Sequence, residues 1–179
     1  LTSNECIKVN KEFSNAFEIP KIPTFVIACR PTKQKGIHYL KPFLLKISKQ
    51  IKAKHIKFIL CVPDKSDFKN AFLKDLLNNL TIKKYLEIKY DFDYKKLGKL
   101  YKKSNHYAIS FSRCEYEPYG INEPLSVGCP IFAFPAGGIK QIYGVNLYNS
   151  INELVFYIVS IVYMKTYKER LKLSAELGK

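Results

Sequence analysis

Arg30 and Lys35 stand in the segment Arg30-Pro31-Thr32-Lys33-Gln34-Lys35-Gly36, directly after an apolar run from Thr24 to Cys29. All but three of the 30 basic residues are lysine, the arginines being Arg30, Arg113 and Arg170. A planar guanidinium beside a lysine at a strand-to-helix turn suits a phosphate or diphosphate, held bidentately by the first and as a point charge by the second. The turn is expected to add unsatisfied backbone N–H groups at the helix entrance. An ordinary solvated basic turn has the same composition.

A second candidate segment carries three carboxylates, Glu115, Glu117 and Glu123, interleaved with Tyr119, Gly120 and Ile121. Gly128, Gly137 and Gly138 follow downstream. Carboxylates accept hydrogen bonds from vicinal sugar hydroxyls, and glycine lets backbone amides approach phosphate oxygens. The two segments together therefore suit a nucleotide sugar, although a lone acidic loop is more often simply solvated. His38, His55 and His106 have neither triad nor metal-ligand spacing and are read as structural or exposed. Cys6, Cys29, Cys61, Cys114 and Cys129 form no C-x-x-C pair, which argues against a zinc site or disulfide scaffold. Cys114 and Cys129 are expected to pack as small hydrophobes.

The elements that must position these loops alternate between strand and helix. Thr24 to Cys29, Ile56 to Val62, Leu86 to Phe92, Tyr107 to Phe111 and Pro130 to Phe134 read as strands. Ile37, Leu40, Phe43, Leu44, Ile47 and Ile51 recur at helical spacing, with Lys41, Lys46 and Lys49 opposite. Phe68, Phe72, Leu76 and Leu80 suggest a second helix capped by Ser66, Tyr94 to Tyr101 a third, and 151–177 a last one capped by Asn149 or Ser150. Apolar strands alternating with helices predict an α/β, Rossmann-like parallel sheet of about six strands covered on both faces. In such sheets ligands sit outside the carboxyl ends of the strands, where both candidate segments fall.

The sequence resembles the C-terminal domain of retaining, two-domain (GT-B fold) glycosyltransferases of glycosyltransferase family 4. Residues 30–36 look like that family's G-R-L-x-x-x-K-G loop. Residues 115–123 fit E-x7-E, and 123–130 then fit E-A-M-A-x-G-x-P with matching spacing to Gly137-Gly138. The resemblance covers about residues 24–178 and implies Arg30 and Lys35 at the donor diphosphate, with Gly36 also in the donor site, Glu123 at the ribose hydroxyls and Glu115 at the transferred sugar. Tyr119, Gly120, Ile121, Gly137 and Gly138 complete the implied donor site. Glu117-Pro118-Tyr119-Gly120 also looks like the family's E-P-F-G, a register that makes Glu117 the sugar contact but needs a two-residue deletion. Pro124 stands where the family has Ala, which suits the first turn of a helix. Gln141 replaces the usual Glu after the double glycine.

On this reading residues 1–23 are a connector with a short helix, and 24–179 form the nucleotide-sugar-binding domain. No metal or cofactor is expected, because two cations at the diphosphate replace a metal. The chain would lack the N-terminal domain of such an enzyme and be inactive in isolation. The acceptor, the sugar and the choice of UDP or GDP are left open.

Composition bounds the alternatives. At 179 residues, 47% hydrophobic and 14% aromatic, the chain holds enough apolar material for one core. A net charge of +15 carried by lysine argues against sequence-specific nucleic-acid recognition, for which arginine forks serve better, but leaves an anionic membrane or polyanion as a partner. A non-catalytic nucleotide-binding module and a lysine-rich polyanion-binding domain are the competing functions. Scattered unpaired cysteines suit a reducing compartment, cytoplasmic or peripheral at a membrane.

Overall fold

The computed structural model describes residues 22–65, 70–103, 105–113 and 119–163, the last without the Tyr119 side chain. The expected N-terminal helix and residues 164–177 of the expected last helix lie outside the described residues. Six strands form one parallel sheet: β1 (Thr24–Ala28), β2 (Lys57–Cys61), β3 (Leu86–Lys89), β4 (His106–Ser110), β5 (Ile131–Ala133) and β6 (Val145–Leu147). Their order is β3-β2-β1-β4-β5-β6, the doubly wound Rossmann arrangement. Pairing is in register from Thr24 opposite Lys57 to Ala28 opposite Cys61, and from Thr24 opposite His106 to Val26 opposite Ala108.

Successive strand residues face opposite ways, and here both faces are apolar. Phe25, Ile27, Phe58, Leu60, Tyr107, Ile109 and Phe132 join one core. Helices α1 (Leu40–Gln50), α2 (Ala71–Asn78), α3 (Leu80–Lys83) and α6 (Ile151–Tyr163) bury side chains in it. Val26, Ile59, Ala108 and Ile131 meet α4 (Tyr94–Tyr101) and α5 (Tyr119–Ser126) through Leu100, Tyr101 and Ile121 on the other side. The expected stripe from Ile37 to Ile51 is buried throughout.

Three expectations need correction. The α2 stripe buries Leu73 and Leu76, while Leu80 is 77% exposed. The helix stops at Asn79, whose side chain accepts from Ile82 N–H and starts α3 on a new heading, and Asn70 caps α2 by accepting from Phe72 N–H. Ser66 lies outside the described residues. β6 is a three-residue strand that hydropathy did not mark, since its centre is Asn146. That residue is buried and its Nδ2 donates to the Ile131 carbonyl.

Pro124 also differs from expectation. Helix α5 begins at Tyr119, so the proline falls in its second turn. The helix closes on Gly128 at φ +73°, where Cys129 N–H donates to the Pro124 carbonyl and Gly128 N–H to that of Leu125. This is a Schellman-type C-cap, so Gly128 serves to end a helix and not to approach a ligand. At the start of α6, Ser150 Oγ accepts from Glu153 N–H and Glu153 accepts from Asn149 N–H. Both expected capping residues therefore take part.

Candidate functional site

The strand order reverses between β1 and β4, and a cavity of about 200 Å³ opens there at the carboxyl ends of the strands. Its floor is the end of β1, Ile27 to Cys29, with Ala108 to Ser112 from β4. Arg30, Lys35, Gly120 and Glu123 all line it. Two loops about 90 positions apart in sequence are thus brought to one opening by the sheet.

The basic loop is tightly built. Thr32 N–H donates to the Arg30 carbonyl at 2.8 Å, and Ile37 N–H to that of Thr32 at 3.4 Å. Lys35 N–H donates to Thr32 Oγ1 at 3.4 Å and Gly36 N–H to the Lys33 carbonyl at 3.0 Å. The amides of Thr32, Lys35, Gly36 and Ile37 are thus used within the turn itself, which corrects for these four the expectation that they stand free for an anion. Positive charge in the cavity comes instead from the side chains of Arg30 and Lys35. The turn leads into a 3-10 segment, Ile37–Tyr39, ahead of α1.

Gly36 is dictated by the packing. Its φ is +71°, and a Cβ placed there would lie 2.1 Å from the carbonyl oxygen of Phe111. The loop thereby crosses from β1 onto the end of β4, where Arg113 N–H donates to the Gln34 carbonyl at 3.3 Å and Ser112 Oγ to the same oxygen at 3.4 Å. From the other side Asn70 Nδ2 donates to the Pro31 carbonyl at 2.9 Å.

Glu123 projects from α5 into the cavity wall and is half-buried. Loss of hydration raises its pKa, and no ion pair to it occurs among the described residues. A desolvated carboxylate without a cation is an acceptor ready for neutral hydroxyl donors. Ile121, by contrast, turns its side chain into the core at 1% exposure and can offer a ligand only backbone. Gly137 and Gly138 begin a 3-10 segment after β5 and lie outside the cavity lining. Glu115 and Glu117 lie outside the described residues, as does Cys114.

The remaining wall is apolar and carries no site signal in the sequence. Pro63 and Phe92 follow β2 and β3, and Leu97 and Tyr101 come from α4. Burial above all keeps the Tyr101 phenol neutral, and the nearby Cys61 thiol and Glu123 act in the same direction. Burial pushes the Cys61 thiol up to about 12, so it lines the cavity as an unreactive hydrophobe. Cys129 is buried at 3%, as expected of a packing residue. No group of three potential metal ligands occurs among the described residues.

The cavity thus has two cationic residues, a carboxylate and an apolar side, at the switch point of a Rossmann sheet. The fold is that of the C-terminal domain of a GT-B glycosyltransferase. No protein-family model and no curated protein matches the sequence. Among solved structures, that of a single-residue mutant of S. aureus TarM with Fondaparinux, alpha-GlcNAc-glycerol and UDP matches with TM-score 0.67 at 17% identity, over 99% of this chain and 38% of that one. The trehalose-6-phosphate synthase OtsA gives 0.67 at 14%, over 99% and 42%. The pneumococcal O-GlcNAc transferase GtfA with UDP and GlcNAc gives 0.62 at 16%, over 90% and 33%. Identities this low carry the fold alone, and the chain spans about a third to two fifths of these proteins. No helix among the described residues is long and apolar enough to cross a membrane.

Proposed function

We propose that this chain is the donor-binding domain of a retaining glycosyltransferase and holds a nucleotide diphosphate sugar at the β1/β4 switch point. The observation that carries the reading is the convergence on one cavity with an apolar wall of Arg30, Lys35 and Glu123, the last without an ion pair among the described residues. Arg30 and Lys35 engage the diphosphate, Glu123 the ribose hydroxyls, and the wall of Phe92, Leu97 and Pro63 the base. Glu115 or Glu117 meets the transferred sugar. As the glycosidic bond breaks, negative charge builds on the leaving diphosphate, and two pre-placed cations stabilise it without proton transfer. The acceptor and the residues that position it belong to a further domain.

UDP is the first nucleotide to test, because two structures of the same fold hold it. Titration calorimetry with UDP, GDP and the parent nucleosides, set against a salt titration with an oligonucleotide, separates this reading from a lysine-borne polyanion site. Diphosphate-dependent binding that survives moderate salt supports it. Oligonucleotide binding with a steep salt slope and no nucleotide binding refutes it. Arg30→Ala and Lys35→Ala are each expected to weaken UDP binding by about 1.5–3 kcal/mol, and uridine binding far less. Equal losses for both ligands would remove the two residues from the phosphate.

A further inference from the structure

Arg113 stands just outside the cavity and is one of only three arginines, where nearly every other cation is lysine. Its guanidinium carbon lies 4.1 Å from the ring centroid of Phe134 and 4.9 Å from that of Tyr39. Phe134, at the end of β5, packs in turn on Tyr148 with centroids 4.3 Å apart. Tyr148 is fully buried, and its hydroxyl donates to the Ser110 carbonyl at 2.8 Å. Tyr39, Phe134 and Tyr148 form an aromatic column on the ends of β4 and β5, with the Tyr39 and Phe134 centroids 5.8 Å apart, and Arg113 rests across these two rings from the side. A planar, weakly hydrated guanidinium can lie on two rings at once, and an ammonium cannot reproduce that stack.

Arg113 bears on the basic loop at two points. Arg113 N–H holds the carbonyl of Gln34, the residue before Lys35, while its side chain holds Tyr39, three residues beyond Gly36. Tyr39 N–H donates back to the Gly36 carbonyl at 2.9 Å. The segment from Gln34 to Tyr39 is thus clamped at both ends by one residue of another loop. No salt bridge to Arg113 occurs among the described residues.

We propose that Arg113 is a positioning residue, whose contact across Tyr39 and Phe134 holds the 30–36 loop so that Lys35 meets the donor diphosphate preorganised. The nucleotide part of this proposal rests on the donor-binding reading above; the clamping of the loop does not. Preorganised cations bind a diphosphate without ordering a loop first, so releasing the clamp costs affinity for the diphosphate and little for the nucleoside.

The test compares wild type, Arg113→Ala, Arg113→Lys and a destabilised core control, Ile161→Ala near the end of α6; Leu76→Ala serves as a second core control. Calorimetry with UDP and uridine is paired with amide hydrogen exchange of residues 34–39 in the unliganded chain. Arg113→Ala and Arg113→Lys are both expected to speed exchange at 34–39 and to weaken UDP about five- to tenfold, with uridine changed less than about twofold. Ile161→Ala and Leu76→Ala, although less stable, should leave the UDP-to-uridine ratio unchanged. Full recovery of UDP affinity by Arg113→Lys would show that charge and not stacking matters, overturning the proposal. Unchanged exchange at 34–39 in both variants would overturn it too, whether or not the chain binds nucleotide. If wild type fails to bind UDP while exchange rises in the variants, the donor reading falls and the clamp stands.

Discussion

The Glu123 carboxyl and the His106 imidazole are both shifted by burial, with opposite consequences. Glu123 is penalised when ionised, so its folded pKa lies above the unfolded one. Its favourable contribution exists below the unfolded value and is lost as pH rises through the folded one. Glu123→Gln, neutral throughout, should therefore melt at a higher temperature than wild type at neutral pH and at the same temperature below the carboxylate range. The same substitution should weaken UDP about tenfold and leave a 2′,3′-dideoxy analogue nearly unaffected. A gain in stability with no loss of ribonucleotide affinity would place the ribose elsewhere.

His106 is 8% exposed, its Nδ1 has no partner among the described residues, and burial lowers its pKa to about 4. A depressed folded pKa means stability is full above the unfolded value of 6.5 and declines as pH falls toward about 4. Urea unfolding across that window should show the decline, and His106→Gln should flatten it. A profile unchanged by that substitution would assign the acid sensitivity to other groups. The sequence reading of this histidine as structural agrees with its place at the start of β4.

At the scale of elements, the basic loop is held by what it touches more than by its own composition. Gly36→Ala sets a Cβ against the Phe111 carbonyl at positive φ, and the expected cost is about 2–4 kcal/mol of unfolding free energy. Chemical denaturation measures it, and a loss under about 1 kcal/mol would mean that the loop readily moves off β4. Much of this architecture was legible in the sequence, because Ile37 to Ile51 keeps helical spacing and the strands are apolar on both faces. Arg30, Lys35 and Glu123 were legible for a related reason: they follow strands, and parallel sheets gather such loops at one end. β6 was not, since three residues centred on a buried asparagine carry no hydropathy signal. Nor were Leu97 and Tyr101, because a helical stripe looks the same whether it meets a core or a cavity wall. The amides of the basic loop were misjudged because hydrogen bonds within a turn depend on dihedral angles that residue types do not specify.

For the whole molecule, the cavity lies at one end of the sheet, at the carboxyl ends of β1 and β4. The chain matches about a third to two fifths of the glycosyltransferase structures it resembles. The isolated 179-residue chain is therefore expected to bind donor without transferring sugar, since proximity and water exclusion at the reacting carbon are lost. Turnover of a nucleotide sugar onto an added acceptor at about 1 per second or faster would contradict this and make the chain a complete transferase. The most direct test of the donor site is a crystal structure of the chain with UDP. Diphosphate oxygens are expected within hydrogen-bonding distance of Arg30 and Lys35, with ribose hydroxyls on Glu123. UDP bound away from the carboxyl ends of β1 and β4, or bound there with Glu123 and both cations untouched, would contradict it.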